Sequence, residues 1–145
     1  MATDIRIAAD NARFAIPVAK LGILVGYEEM RRLVQLVGPG YASYILMTGQ
    51  QLSAEFALRI GLVNEVKSME EIDSHVEKLS TGMVPLAPLS QSRHKQILQT
   101  VLGNPGLSHL TDEEYQLPFM NFDSQDFQEG RQAFGQHRDP LFRGW

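Results

Sequence analysis

Blocks of apolar residues at helical spacing, each followed by a glycine, occupy the middle of the first half of the chain. In residues 27–37 the apolar side chains recur every three or four positions, two glutamates occupy the first turn, and Gly38 follows. This pattern predicts an amphipathic helix that ends at Gly38. The same reasoning predicts a second helix over residues 41–48 and a third over residues 53–60, with Ser53 as the N-cap.

Short alternating segments predict a few strands around these helices. Residues 4–8 and 13–16 alternate polar with apolar on either side of the turn-forming Asp10-Asn11, which predicts a strand, a turn and a strand. Residues 62–66 are predicted as one more short strand. Two-stranded ribbons are marginal by themselves, so we expect partner strands from outside this sequence.

Capping signals predict helices through the second half. Ser68 with Glu71 and Thr111 with Glu114 have the spacing of capping boxes, in which the hydroxyl accepts from an N–H three residues on. The first box opens a helix that extends to about residue 83. A further helix is predicted to begin near two prolines and end near residue 103, and a last one covers residues 124–136. The last helix is expected to bury Phe127, Ala133 and Phe134.

Composition and charge exclude several classes of protein. The 145 residues carry 13 Lys and Arg against 17 Asp and Glu, a net charge of −4, which provides no basic surface for nucleic acid or an anionic membrane. Cysteine is absent, so no disulfide or thiolate nucleophile is expected, and the neutral assumption is a cytoplasmic protein. The longest apolar run, over residues 14–25, is too short to span a bilayer.

The residue patterns alone indicate no catalytic centre. The four histidines are scattered without metal-ligand spacing, so no metal is expected, and His75 and His94 are expected on the solvated surface. The Gly38-Pro39-Gly40 segment lacks the residues of a phosphate loop and is explained as a helix stop followed by a helix start. Glu28 and Glu29 have two explanations, as a general acid or base or as carboxylates favoured by a helix N-terminus.

A series of ordered matches nevertheless resembles the crotonase superfamily, the enoyl-CoA hydratase/isomerase family. The matching residues are Phe14, Pro17, Leu21-Gly22, Gly26, Arg32-Leu33, Val37-Gly38, Met47-Thr48-Gly49, Ala54, Ala57 and Gly61-Leu62-Val63-Asn64-Glu65-Val66. The closing motifs of the family are matched by Glu129-Gly130, Ala133-Phe134, Arg138, Pro140, Phe142 and Gly144. The resemblance covers nearly all of this chain and about the C-terminal half of the usual family length.

The resemblance implies a fold class and two regions. The expected fold is α+β and mostly helical, the C-terminal part of a ClpP/crotonase-like fold with few strands and the trimerisation helices. Residues 1–66 would form the C-terminal part of the core, and residues 67–145 a helical oligomerisation region. In the family, an upstream half supplies the two backbone N–H groups of the oxyanion hole and one of the two hydratase carboxylates, and neither segment lies in this sequence.

The resemblance also locates candidate site residues. The glutamate that acts as general acid and base in hydratases aligns with Val18, which cannot transfer a proton. Glu28 and Glu29 replace two family glycines, and other members place acidic residues around this turn, so both are candidates for a relocated base. Phe134 would lie near the adenine of coenzyme A, and His137 occupies the position of a lysine that contacts its phosphate; the alternative for Phe134 is a core residue.

Two functions remain open on these grounds. The first is an enoyl-CoA hydratase/isomerase family protein, a lyase or isomerase of fatty acid metabolism, that binds or acts on an acyl-CoA thioester and is incomplete or inactive as this chain alone. The second is a catalytically silent oligomerisation or CoA-binding module. Coenzyme A is expected only as part of the substrate, with no separate cofactor, and a homo-oligomer, trimer or hexamer, is expected by family analogy. A helical adaptor unrelated to crotonases remains if the matches are accidental.

Overall fold

The computed structural model describes residues 3–145 and divides the chain into two compact units, the first ending at Lys78 and the second covering Leu79–Trp145. The elements of the first unit are β1 (Ile7–Ala9), β2 (Arg13–Phe14), α1 (Val18–Leu21), α2 (Tyr27–Thr48), β3 (Leu52–Ser53), α3 (Ala54–Arg59) and β4 (Glu65–Lys67). Helix α4 (Ile72–Met83) follows β4. The second unit continues with α5 (Pro88–Gly103), α6 (Asp112–Gln116), a 3-10 turn (Met120–Asp123) and α7 (Gln125–Gln136).

Helix α2 consists of two helices joined at Gly38. The backbone there has φ 73° and ψ 165°, a conformation that glycine adopts and other residues avoid. Pro39 follows directly, where the second helix begins and the missing N–H of proline is tolerated. Gly49, also at positive φ, ends the second helix through its N–H to Ile45 O. The two predicted helices over residues 27–37 and 41–48 are therefore confirmed.

The strands pair in a way that the sequence did not indicate. β1 runs parallel to β4, with Ile7 opposite Glu65, and β2 runs antiparallel to β3, with Phe14 opposite Leu52. β1 and β2 do not pair with each other, because each has a different partner within the first unit. The turn between β1 and β2 directs the chain from one two-stranded sheet to the other. Further partner strands from outside this sequence stay a prediction. The strand predicted over residues 62–66 lies at Glu65–Lys67.

The core of the first unit lies between these sheets and the helices α2 and α3. Ser53 caps α3 by accepting from Phe56 N, and this places Ala54 and Ala57, both fully buried, against the core. The buried apolar residues are Ala8, Leu33, Val37, Ala42, Ile45, Leu46, Leu52, Ala54, Ala57, Ile60, Leu62 and Val63. Several of them also border an apolar cavity of about 620 Å³ beside β1 and β2.

Capping interactions begin the helices of the second half as predicted. Glu71 N donates to Ser68 Oγ ahead of α4, and Thr111 and Glu114 form a complete capping box at α6. Ser124 caps α7 by accepting from Phe127 N. The predicted last helix is therefore confirmed. The predicted burial holds for Ala133 but is wrong for Phe134, whose side chain is 84% exposed at the rim of a concave surface that it shares with Phe127 and Gly130.

Candidate functional site

Val18 lines an apolar cavity of about 560 Å³ in the first unit. The other lining residues are Ala19, Ile23, Leu24, Val25, Gly26, Tyr27, Met30, Leu46 and Met47. Leu24 and Met47 are 95% and 77% exposed, so the cavity opens to solvent through apolar side chains. None of these lining residues carries a charged group. A cavity of this kind suits a hydrocarbon chain better than a polar ligand.

Glu28 forms ion pairs with two arginines. Its carboxylate accepts from Arg31 Nη2 at 2.9 Å and from Arg32 Nε at 3.0 Å, within the first turns of α2. These hydrogen bonds, that to Arg31 first, hold the pKa of Glu28 below its ordinary value. A carboxylate that is stabilised in its charged form is a weak base. Glu28 also does not line the cavity.

Glu29 reaches back to Gly26 at the start of α2. Its Oε2 atom is 2.5 Å from the position that a Cβ on Gly26 would occupy, and Gly26 is part of the cavity wall. The carboxylate can occupy this position because residue 26 has no side chain. Glu29 is exposed. The structure thus separates the two glutamates: Glu28 forms ion pairs with two arginines, Glu29 reaches back to Gly26, and neither lines the cavity.

Phe134 and His137 lie at the end of α7 in the second unit. Phe134 borders a cavity of about 440 Å³ together with Phe127, Gly130 and Phe142. His137 is exposed and ends α7 in the left-handed conformation, with φ 52°. It does not line that cavity. The structure therefore places an exposed aromatic ring and an exposed imidazole one turn apart, and only the ring borders a concave surface.

Two carboxylates of α7 hold the C-terminal segment through hydrogen bonds. Neither was among the site residues predicted from the sequence. Asp126, 5% exposed, accepts from Arg143 N at 2.8 Å and from Gly144 N at 3.1 Å. Glu129 accepts from the guanidinium of Arg138 and from Leu141 N at 2.8 Å. For Glu129, the sequence signal was the Glu129-Gly130 motif, which was interpreted only as part of the family resemblance. We refer to residues 138–145 as the C-terminal strap.

The two helical histidines differ in their surroundings. His94 is exposed, as expected, and its Nδ1 atom contacts Ser90. The expectation for His75 was wrong: it is only partly exposed, and its Nε2 lies 2.9 Å from Glu65 Oε2. The same oxygen is 3.0 Å from Lys67 Nζ. Glu65 is ten residues away in the sequence, so local polarity could not indicate this contact.

Among residues 3–145, no group of three or more histidine, aspartate or glutamate side chains is positioned to hold a metal ion. No helix in that part of the chain has the length and apolar character needed to cross a membrane.

The sequence and the fold both match one family. Residues 1–144 match the family described as enoyl-CoA hydratase/isomerase. The chain therefore belongs to the enoyl-CoA hydratase/isomerase family. The mostly helical fold with few strands matches about half of a crotonase-fold structure, as the resemblance implied.

Individual relatives agree with this assignment. The chain is 35% identical over 147 residues to carnitinyl-CoA dehydratase of Salmonella paratyphi A, a match that covers 99% of this chain and 56% of that protein. An enoyl-CoA hydratase/isomerase family protein from Hyphomonas neptunium superposes with a TM-score of 0.89 at 27% identity, over 99% of this chain and 54% of the other. The enoyl-CoA hydratase of Mycobacterium tuberculosis H37Rv gives 0.86 at 29%, over 99% and 57%. The chain thus spans about half the length of the relatives it matches.

Proposed function

We propose that this chain binds the acyl group of a coenzyme A thioester in the cavity beside Val18. The observation that carries the proposal is the uncharged and mostly apolar lining of that cavity, in a chain of the enoyl-CoA hydratase/isomerase family. The names of the relatives, a carnitinyl-CoA dehydratase and an enoyl-CoA hydratase, support a thioester of coenzyme A as the ligand. Coenzyme A enters as part of the substrate, and the proposal requires no separate cofactor.

The proposal does not extend to ordinary hydration of a 2-enoyl-CoA by this chain. Hydration needs a group that transfers a proton at the double bond, and Val18 has none. The carboxylate of Glu28 forms ion pairs with Arg31 and Arg32. Glu28 and Glu29 remain the candidate carboxylates for an isomerase or lyase reaction of a larger assembly. This 145-residue chain alone is expected to show no turnover of crotonyl-CoA, and robust hydration by verified material would refute that expectation.

By analogy with the family, Phe134 and His137 of the second unit are proposed as a contact for coenzyme A. Phe134 offers an exposed ring that an adenine can stack on, and His137 offers a donor for a phosphate. A homo-oligomer, trimer or hexamer, and a cytoplasmic location are further proposals by analogy with the family. Sedimentation at several protein concentrations measures the oligomeric state directly.

A titration with hexanoyl-CoA and with free coenzyme A tests acyl binding. We expect hexanoyl-CoA to bind more tightly, because its chain removes apolar surface from water. Met47→Glu places a charge at the cavity and should weaken hexanoyl-CoA binding by about 1 to 3 kcal/mol. Met69→Glu is the matched control, since Met69 is also exposed and lines neither apolar cavity. Equal affinities for the two ligands, or equal effects of the two variants, would refute the proposal.

The second candidate function is a catalytically silent module that binds coenzyme A or oligomerises. Two observations favour it: Val18 has no proton-transfer group, and the ion pairs of Glu28 make its carboxylate a weaker base. Binding of hexanoyl-CoA without turnover of any enoyl-CoA would support the module. A monomer that ignores every CoA ligand would exclude both functions.

A further inference from the structure

Methionine is the residue of this chain most open to two-electron oxidation. The sequence contains six methionines and no cysteine, so no thiol competes with them for a peroxide. Five methionines lie among residues 3–145, and Met47 is the most exposed of them, at 77%. The other four, which are 37% to 57% exposed, are Met30, Met69, Met83 and Met120. Because the oxidant must reach the sulfur atom, Met47 is expected to react first.

Met47 also lines the apolar cavity beside Val18. It lies near the end of α2, and Met30, near the start of the same element, lines the cavity as well. Oxidation to the sulfoxide turns an apolar side chain into a polar one. A polar group in this wall loses its water without gaining a partner when a hydrocarbon chain enters, and that loss is unfavourable. The most accessible thioether of the described residues is therefore part of the proposed acyl-binding wall.

We propose that Met47 is an oxidation site that regulates acyl binding: a peroxide converts its thioether to the sulfoxide and thereby lowers the affinity of the cavity for the acyl group. With hydrogen peroxide, a lone pair of the sulfur attacks one oxygen, and an S–O bond forms as the O–O bond breaks. The proton of the transferred oxygen passes to the departing hydroxide, which leaves as water. Sulfur loses two electrons and the peroxide gains them.

The modification is reversible. A thiol-dependent sulfoxide reductase returns the thioether, and the oxygen leaves as water while two thiols form a disulfide. The inference rests on the proposed function, because it assumes that the cavity beside Val18 holds the acyl group.

The order of oxidation is the first measurement. The chain is treated with hydrogen peroxide until intact mass shows a single added oxygen, and peptide mass spectrometry then locates that oxygen. We expect it on Met47 ahead of Met69, since Met47 is 77% and Met69 57% exposed. This measurement does not depend on acyl binding. Oxidation of Met69 before Met47 would contradict the inference.

Calorimetry supplies the second measurement, the ratio of the affinities for hexanoyl-CoA and for free coenzyme A. In the unmodified chain we expect this ratio to fall about threefold to thirtyfold after oxidation, because the sulfoxide places a polar group against the acyl chain. Reductases for both sulfoxide epimers, supplied with a thiol, should restore the ratio. A loss that persists after mass spectrometry shows Met47 fully reduced would refute the proposal.

Met47→Leu keeps the size and apolar character of the side chain and removes the oxidisable sulfur. Each variant is compared with itself before and after peroxide, so an effect of the substitution on the starting affinity cancels. Peroxide should leave the ratio unchanged in Met47→Leu. In Met69→Leu, the matched control, the ratio should fall as in the unmodified chain, because Met69 lines neither apolar cavity.

The outcomes separate this inference from the proposed function. If the ratio still falls in Met47→Leu, or stays constant in an unmodified chain that carries Met47 sulfoxide, the inference is overturned and the proposed function stands. If the untreated chain binds hexanoyl-CoA no better than free coenzyme A, the proposed function itself has failed, and the inference fails with it.

Discussion

Glu129 and Arg138 face each other across the end of α7, with Arg138 Nη2 2.9 Å from Glu129 Oε2 and Arg138 Nη1 on the other oxygen. The same carboxylate accepts from Leu141 N. These hydrogen bonds lower the pKa of Glu129 from its ordinary value of 4.5 to about 2. The bond from the Arg138 guanidinium has the largest effect, and the bond from Leu141 N the next.

This pair makes stability depend on pH in the acidic range. Since the folded protein holds the Glu129 proton less readily than the unfolded chain does, the interaction stabilises the fold above about pH 4.5 and is lost as the pH falls toward 2. Glu129→Gln should therefore lower the Tm at neutral pH, and its difference from the unmodified chain should shrink across that interval. Thermal unfolding followed by circular dichroism measures both. A difference in Tm that stays constant with pH would contradict this explanation.

Gly38 should be the glycine of α2 that tolerates a side chain least. Gly38→Ala places alanine in a backbone region that is essentially restricted to glycine, and we expect a loss of about 1 to 3 kcal/mol in the free energy of unfolding. Gly40→Ala is the control, because neither glycine has an atom within 4 Å of an added Cβ and Gly40 has no positive φ. It should be neutral or stabilising. Equal effects in urea denaturation would show that conformation is not the cause.

Ile45 is the large side chain most completely buried in the first unit. It is 2% exposed and packs in the core between the two sheets and α3. Ile45→Ala should cost about 2 to 5 kcal/mol, since it removes apolar contacts and leaves a cavity. Leu58→Ala removes a similar side chain that is 40% exposed and should cost clearly less. Urea denaturation followed by circular dichroism compares the two, and a loss at Leu58 as large as that at Ile45 would contradict the described core.

Phe134 should affect binding and leave stability nearly unchanged. Because its ring is 84% exposed, Phe134→Ala should shift the free energy of unfolding by no more than about 0.5 kcal/mol. Phe127→Ala, on the same helix, should destabilise more, since that ring is partly buried and contacts Phe122 edge to face at 5.1 Å between centroids. Under the proposed function, Phe134→Ala weakens coenzyme A binding. Strong destabilisation by this substitution would show that the ring is part of a core.

Local signals predicted most of the helices. Positive-φ glycines at Gly38 and Gly49 and the caps at Ser53, Thr111 and Ser124 act within a few residues, so their effect can be recognised in the sequence. The side-chain directions of a helix also follow from spacing, which is why the buried positions of α2 agree with the apolar pattern.

Contacts between distant positions could not be predicted in the same way. The parallel pairing of Ile7 with Glu65 joins residues 58 apart, and alternation in a short strand does not identify its partner. For the candidate site, the resemblance located Val18. The sequence did not distinguish the two glutamates, because the ion pairs of Glu28 with two arginines and the contact of Glu29 with Gly26 are seen only in the structure.

The C-terminal strap affects how unfolding of this chain can be observed. Trp145 is the only tryptophan in the sequence, and its indole Nε1 donates to Gln125 Oε1 at 2.7 Å. The intrinsic indole emission therefore originates beside the start of α7 and monitors the detachment of residues 138–145. A fluorescence melting curve would report that event in the second unit, whereas the core around Ile45 needs a probe of its own, such as an engineered tryptophan or isotope-labelled methyl groups.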